Sequence, residues 1–458
     1  GMYATFMLPN CHEDNKERLS QVCEAIKRIY ASTFFQDPKT LMENIVHRHE
    51  EEKMAVIIME MVGQAHDNYF YPTFSGVAQS YNYYPISYMK REEGIAFTAL
   101  GLGRTIVEGG QAFRFSPQYP NILPQFYSVK STIVNSQNSF YALNLNNGNN
   151  SLRGGEDYNL EKLELADAEA HGVLKHIASV VCNEDKIIRD SLKEKGKRVI
   201  TFAPILKYET FPLAELLTDI LDLGKISMGC PVEIEFAVNI NNNPDIQNEF
   251  CLLQIKPMVI GGMGHSIYRF PDKKTDILCK SNMVLGDGIV DSISNILYVY
   301  PDVFDRSFTR NIAKEIEIFN RQLGKDNPYL LIGPGRWGTA DPWLGIPVNW
   351  KQISCARVIV EIGLEELNPD SSFGSHFFQN ITSLRIGYFT IKKSDEHVNI
   401  DLDWLNAQPV KQSTKYIRWI ELSDPLMIHI DGSTGKGAIM KPQLVPVDIM
   451  DETESTGI

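Results

Sequence analysis

Pro231-Val232-Glu233-Ile234-Glu235-Phe236-Ala237-Val238 and Glu249-Phe250-Cys251-Leu252-Leu253-Gln254-Ile255-Lys256-Pro257 are the two runs from which the fold is read. The first alternates Val232, Ile234, Phe236 and Val238 with Glu233, Glu235 and Ala237, the period of a strand. Both carboxylates therefore point to one face and the apolar residues to the other. By the same rule Gln254 and Lys256 share a face of the second run. Asn239 to Gln247 is rich in Asn and holds Pro244, a turn composition. Two adjacent antiparallel strands would bring two carboxylates, an amide and an ammonium onto one surface. Carboxylate and amide oxygens suit Mg²⁺, which takes a few such ligands together with phosphate oxygens. A Lys beside them neutralises a phosphate as a point charge. An ordinary hairpin with a solvated charged face has the same pattern and is the commoner structure.

The 458 residues are enough for roughly three ordinary domains, or two large ones. Hydrophobic content of 43% and charged content of 22% fit a globular chain with a sizeable core. A net charge of −13 argues against a nucleic-acid partner, and no apolar run reaches membrane-span length. Cys11, Cys23, Cys182, Cys230, Cys251, Cys279 and Cys355 are scattered without a CxxC spacing. They indicate neither a disulfide framework nor a zinc site, so a reducing, cytoplasmic compartment is expected.

"VEIEFAV…FCLLQIKPM" resembles the "DIEWA…LYLLQARP" signature that ends the nucleotide-binding domain of phosphoenolpyruvate synthases and pyruvate, phosphate dikinases, a variant of the ATP-grasp fold. Further segments follow in the family's order. Gly1-Met2-Tyr3-Ala4-Thr5-Phe6-Met7 resembles a "G-x-Y-x-T-F-L" loop over the nucleotide phosphates. "AIKRIYASTF" is similar to "AIKxVWASLF", and Met54 to Val62 is similar to "MAVVVQEMV". Thr73 to Ala78 resembles "SGVAFT", and Gly101-Leu102-Gly103-Arg104 with Glu108-Gly109-Gly110 resembles "WGLGEAVVSG". The resemblance implies that Thr5 meets a phosphate and that backbone groups of Met59, Glu60, Met61 and Val62 form an adenine hinge. It implies Mg²⁺ on Glu235 and Gln254, Lys256 in the role of the family's Arg, and Glu233 assisting. Met59 stands for the family's Gln and Arg104 for its Glu. Lys for Arg is not conservative at a bidentate site. The family places a further lobe before the Thr5 loop, so the chain is expected to begin inside its ATP-binding domain, with that lobe missing or on an upstream chain.

Elsewhere, helices are expected over Asp14 to Tyr30, Pro38 to Val46, Leu160 to Cys182, Pro212 to Leu223 and Ile312 to Leu323. Met54 to Val62 reads as a buried strand, Asn135 to Ser151 as a loop or a mobile flap, and Arg198 to Lys207 as a strand. The resemblance stops after Pro257. Residues 1–258 are expected to form the nucleotide-binding domain and residues 259–458 a second α/β domain. Strands are expected at Tyr329 to Ile332, Ala356 to Ile362, Leu384 to Ile391, Tyr416 to Leu422 and Leu426 to Ile430. Gly333-Pro334-Gly335-Arg336-Trp337-Gly338 ends the first of these. Gly333, Gly335, Arg336 and His376 are an anion-site candidate, because glycines expose backbone N–H groups beside a guanidinium. A tight turn with Arg336 paired to Asp341 is the competing reading.

The expectation is thus an α/β chain with mixed sheets: an ATP-grasp-like domain followed by a second α/β domain. Its expected work is ATP- and Mg²⁺-dependent phosphoryl transfer to pyruvate or another acceptor. The alternative is a non-catalytic nucleotide-sensing or assembly module.

Overall fold

The computed structural model describes residues 3–35, 39, 53–83, 85, 89–126, 128–147, 152, 155, 157–182, 186–243, 245–258, 274–339, 341, 343–363, 376–384, 386–392, 399–432 and 434–442. Apart from Lys39, the expected helix from Pro38 to Val46 lies outside them. The chain divides into two compact units, neither contiguous in sequence. The first takes in Gly1–Ile260, Arg336–Ser354 and Pro369–Leu384, and the second takes in the rest.

The first unit contains β1 (Gln64–His66), β2 (Tyr69–Tyr71), β3 (Phe74–Gln79), β4 (Ile95–Leu100), β5 (Phe113–Phe115), β6 (Ser139–Asn144), β7 (Leu160–Glu164), β8 (Ala178–Cys182), β9 (Ile188–Arg189), β10 (Gly196–Ile200), β11 (Val232–Asn239) and β12 (Glu249–Pro257). A five-stranded antiparallel sheet runs β12-β11-β3-β4-β5, with smaller sheets β1-β2-β6-β7 and β10-β8-β9. Val232, Ile234, Phe236 and Val238 enter the core with Leu217 and Leu221 of the Leu213–Met228 helix. That helix stops at Gly229, whose φ of 65° is left-handed backbone, and its N–H caps the Lys225 carbonyl. Gly224 lets the helix lie close to the sheet, since a Cβ there would stand 2.9 Å from both Val232 and Ile255. The Asn15–Ser32 helix begins at Asp14, whose carboxylate accepts from the Lys16 N–H.

Several local expectations fail. Met54 to Val62 is not a buried strand: it forms no ladder among the described residues, and Ile57 is 75% exposed. Within the expected loop lies β6, with Phe140 and Ala142 fully buried. The expected Leu160 to Cys182 helix is β7, a short Leu165–Ala170 helix and β8. The Arg198 strand ends at Ile200, and Ala203–Leu206 is helical.

The second unit is built on β13 (Ile277–Ser281), β14 (Val284–Leu285), β15 (Asp287–Val299) and β16 (Tyr329–Pro334). β17 (Arg336–Trp337) and β18 (Gly345–Ile346) pair within the first unit. The chain then adds β19 (Ala356–Ile362), β20 (Gly387–Ile391), β21 (Asn399–Ile400), β22 (Val410–Ser413), β23 (Ile417–Asp431) and β24 (Lys436–Met440). These build a ten-stranded sheet, β14-β20-β19-β16-β15-β23-β24-β13-β21, with β22 on β23. β20, β19, β16 and β15 are mutually parallel and their flanks antiparallel. The Thr309–Leu323 helix crosses from β15 to β16 and buries Ile312, Ile316, Phe319 and Leu323 as one stripe. The two strands expected at Tyr416 and Leu426 are the single strand β23. The α/β class with mixed sheets holds. No helix among the described residues is long and apolar enough to cross a membrane.

Candidate functional site

β11 is the middle strand of a three-strand row. Across it, Glu233 stands opposite Gln79 of β3 and Lys256 of β12, while Glu235 stands opposite Val77 and Gln254. Residues paired across a ladder share a face, so Gln79, Glu233, Glu235, Gln254 and Lys256 form one polar surface. Lys256 Nζ lies 2.9 Å from Glu233 Oε1 and 3.1 Å from Glu235 Oε1. Gln79 Nε2 donates to Glu233 Oε2 at 2.6 Å. Glu233 is only 3% exposed, so a solvated charged face does not describe this hairpin.

Electrostatics follow from the packing. Burial alone pushes the Lys256 ammonium down, but the charges and hydrogen bonds of Glu233 and Glu235 outweigh it and hold the group above its ordinary range. Burial raises the Tyr83 phenol, and the nearby Glu233 and Tyr81 raise it further, so it stays a neutral neighbour of the cluster. Glu235 and Gln254 are the outward members of the set: Glu235 is half-buried and Gln254 exposed. Among the described residues no group of three or more His, Cys, Asp or Glu is arranged to hold a metal by itself. A carboxylate beside an amide instead fits a Mg²⁺ that retains waters and takes phosphate oxygens.

The other expected site residues stand as follows. Thr5 is exposed, in a segment anchored by the Ala4 N–H on Ser32 Oγ at 3.1 Å and by Asn159 Nδ2 on the Met7 carbonyl at 2.8 Å. Met59 and Glu60 are exposed; Met61 and Val62 are half-buried, and Met61 packs on the core. No hydrogen bond among the described residues ties these four to the Lys256 cluster. Gly333 is buried in β16, opposite Glu361, and Gly335 has a φ of 72°. Arg336 Nη1 donates to the Gly109 carbonyl at 3.2 Å, as does Thr339 Oγ1 at 3.1 Å. The Asp341 carboxylate accepts from the Trp343 N–H. His376 opens the His376–Ser383 helix, and its side chain lies outside the description. Arg104, the charge reversal noted in the sequence, pairs with Glu108 and Asp157 and lies 5.4 Å above the Tyr141 ring.

Sequence reasoning missed Gln79 and Tyr83. The available signal for Gln79 was an amide ending the otherwise small and apolar run Phe74–Gln79, every residue of which is buried. Its partner is 154 positions away in the chain, so only the strand order reveals the pairing.

Residues 1–264 match the family described as pyruvate phosphate dikinase, AMP/ATP-binding domain. No curated protein matches the chain. The matched span contains the whole β12-β11-β3-β4-β5 sheet and every member of its polar face. It covers more than half of the 458 residues, and the α/β architecture, ATP-grasp-like in this span, is the one the sequence resemblance implied. The chain therefore belongs to the pyruvate phosphate dikinase AMP/ATP-binding domain family.

Proposed function

We propose that the first unit binds ATP with Mg²⁺ at the β11–β12 face and promotes phosphoryl transfer to a small acceptor such as pyruvate, as phosphoenolpyruvate synthase-like proteins do. One observation carries the reading: Lys256, held between Glu233 and Glu235, keeps its charge beside the outward Glu235–Gln254 pair. An ammonium has three N–H donors. Two face carboxylates, and the third is left to meet a phosphate oxygen. Glu235 and Gln254 are the residues to hold Mg²⁺, which when bound supplies further neutralisation of phosphate charge. Positioning and neutralisation are what phosphoryl transfer asks of a protein, without covalent work by side chains.

The test is calorimetric titration of the full chain with ATP·Mg²⁺, followed by phosphorus NMR of the mixture with pyruvate. Binding that is lost in Glu235→Ala, together with consumption of ATP, supports the proposal. Wild-type binding that Glu235→Ala leaves unchanged overturns the site. Binding without turnover overturns the transfer step and points to a nucleotide-sensing module.

A further inference from the structure

We propose that Gln79 is a positioning residue which, through Glu233, fixes the Lys256 ammonium on the β11–β12 face. Gln79 and Lys256 meet different oxygens of Glu233. Gln79 Nε2 holds Oε2, and Lys256 Nζ holds Oε1. Gln79 is 1% exposed and Glu233 is 3% exposed, so water does not substitute for either contact. The Gln79 amide has a determined orientation: turned over, its carbonyl oxygen would face a carboxylate oxygen. The orientation found instead leaves Gln79 Oε1 buried without a hydrogen-bond partner among the described residues. A buried amide that forgoes one bond to make another indicates which bond the site depends on.

The division of labour on this face follows. Glu233 has its oxygens engaged by Gln79 and Lys256, so it serves as the buried support of Lys256. Glu235, outward and half-buried, meets Lys256 through Oε1 and can turn its other oxygen to a cation. Lys has a flexible four-carbon stem and no planar fork to fix its direction. At such a position the carboxylate that receives it must itself be immobile. Gln79, on a strand inside the sheet, supplies that immobility.

The experiment is acetic anhydride labelling of the full-length protein at one fixed, mildly alkaline pH, with the labelling rate of Lys256 relative to the other lysines followed by mass spectrometry. Gln79→Met removes the donor at similar volume. Glu233 then loses its fixed rotamer, and Lys256 is no longer clasped between two immobile carboxylates. Released from that clasp, Lys256 should label several-fold faster at the same pH, relative to lysines remote from the face. Glu233→Gln should raise labelling at least as much, and adding Gln79→Met to it should change nothing further. Gln79→Leu, which also removes the donor, should speed labelling in the same way, and it serves if the Met variant does not fold. Wild-type labelling in Gln79→Met, or an effect that persists on the Glu233→Gln background, overturns the proposal. The labelling readout does not require nucleotide: failure of the wild type to bind ATP refutes the proposed function and leaves this result standing. Its second readout rests on that function: Gln79→Met should weaken ATP·Mg²⁺ binding in the wild type and not in Lys256→Met.

Discussion

Replacing Lys256 by Met tests whether the polar face is held together by its one ammonium. The stem is kept and the charge removed, leaving Glu233 and Glu235 on adjacent rows of one sheet face. The Glu233 side chain is 4% exposed and that of Glu235 27%. Stripping one partner from a fully buried pair costs about 3–5 kcal/mol, because the remaining charge is left unsolvated. The Lys256 side chain is 28% exposed, so water already screens part of the interaction. That places the expected loss at about 2–3 kcal/mol. For a unit of this size each kcal/mol moves the melting temperature by about 2–4 °C, giving a fall of about 4–12 °C. The assay is differential scanning calorimetry of the full chain, read on the transition of the first unit, because two units need not melt together. Glu233→Gln removes the buried charge, so Glu233→Gln/Lys256→Met should lose less than the sum of the single changes. Lys256 titrates above its ordinary 10.5 in the fold. Its contribution is therefore complete below the unfolded value and is lost as pH rises through the folded one. The gap between wild type and Lys256→Met should stay constant through neutral pH and close only in strong alkali. A Lys256→Met protein that melts at or above the wild-type temperature refutes the account.

A Cβ on Gly76 would stand 2.1 Å from the Phe236 ring, so Gly76→Ala should destabilise the first unit by about 1–3 kcal/mol or more. Phe236→Leu should recover part of that loss; chemical denaturation that shows no recovery locates the clash elsewhere. His66 stacks on His171 with centroids 5.2 Å apart. Burial first and the His171 charge second lower its pKa, against a smaller pull from Asp67. Its neutral form is the one that fits, so its contribution is present above about 6.5 and lost as pH falls through the lower folded value. His66→Gln should flatten the acid side of the melting-temperature profile, and an unchanged slope would assign that acid sensitivity to other groups.

Period-two alternation made β11 legible because its two faces differ chemically. β3 was legible only as a likeness to a family motif, since all six of its residues are buried and no face stands out. That is why Gln79 went unnoticed. Met54 to Val62 misled in the opposite direction. An apolar run proposes burial, but burial needs a covering surface, and none among the described residues covers Ile57, Ile58 or Met59. Two strands, Tyr416 to Leu422 and Leu426 to Ile430, are expected on either side of Asp424-Pro425, and Pro lacks an N–H for a ladder. The structure carries β23 straight through, with the register against β15 shifting between Ile293 and its neighbours, so the Pro falls where pairing is already interrupted. From Leu160 to Cys182 helical spacing and strand alternation overlap in short pieces, and long-range pairing of β6 with β7 and of β8 with β10 settles the matter.

β12 raises a conflict that its sequence does not resolve. Phe250, Leu252, Gln254 and Lys256 have one parity, so an unbroken strand would place Phe250 on the polar face with Lys256. Yet Phe250 packs on the core and stacks on Phe236 with centroids 5.1 Å apart. The register shows how both are satisfied. Gln254 faces Glu235, while Leu252 faces Phe236, so Leu253 is an extra residue in the ladder. One inserted residue exchanges the faces of everything beyond it. Before the insertion Phe250 joins Val238 on the apolar side; after it Gln254 and Lys256 join Glu235 and Glu233 on the polar side. The bulge thus lets one strand supply an aromatic anchor to the core and an ammonium to the candidate site. It also ties the two together along the chain, since Gln254 stands only four positions after Phe250.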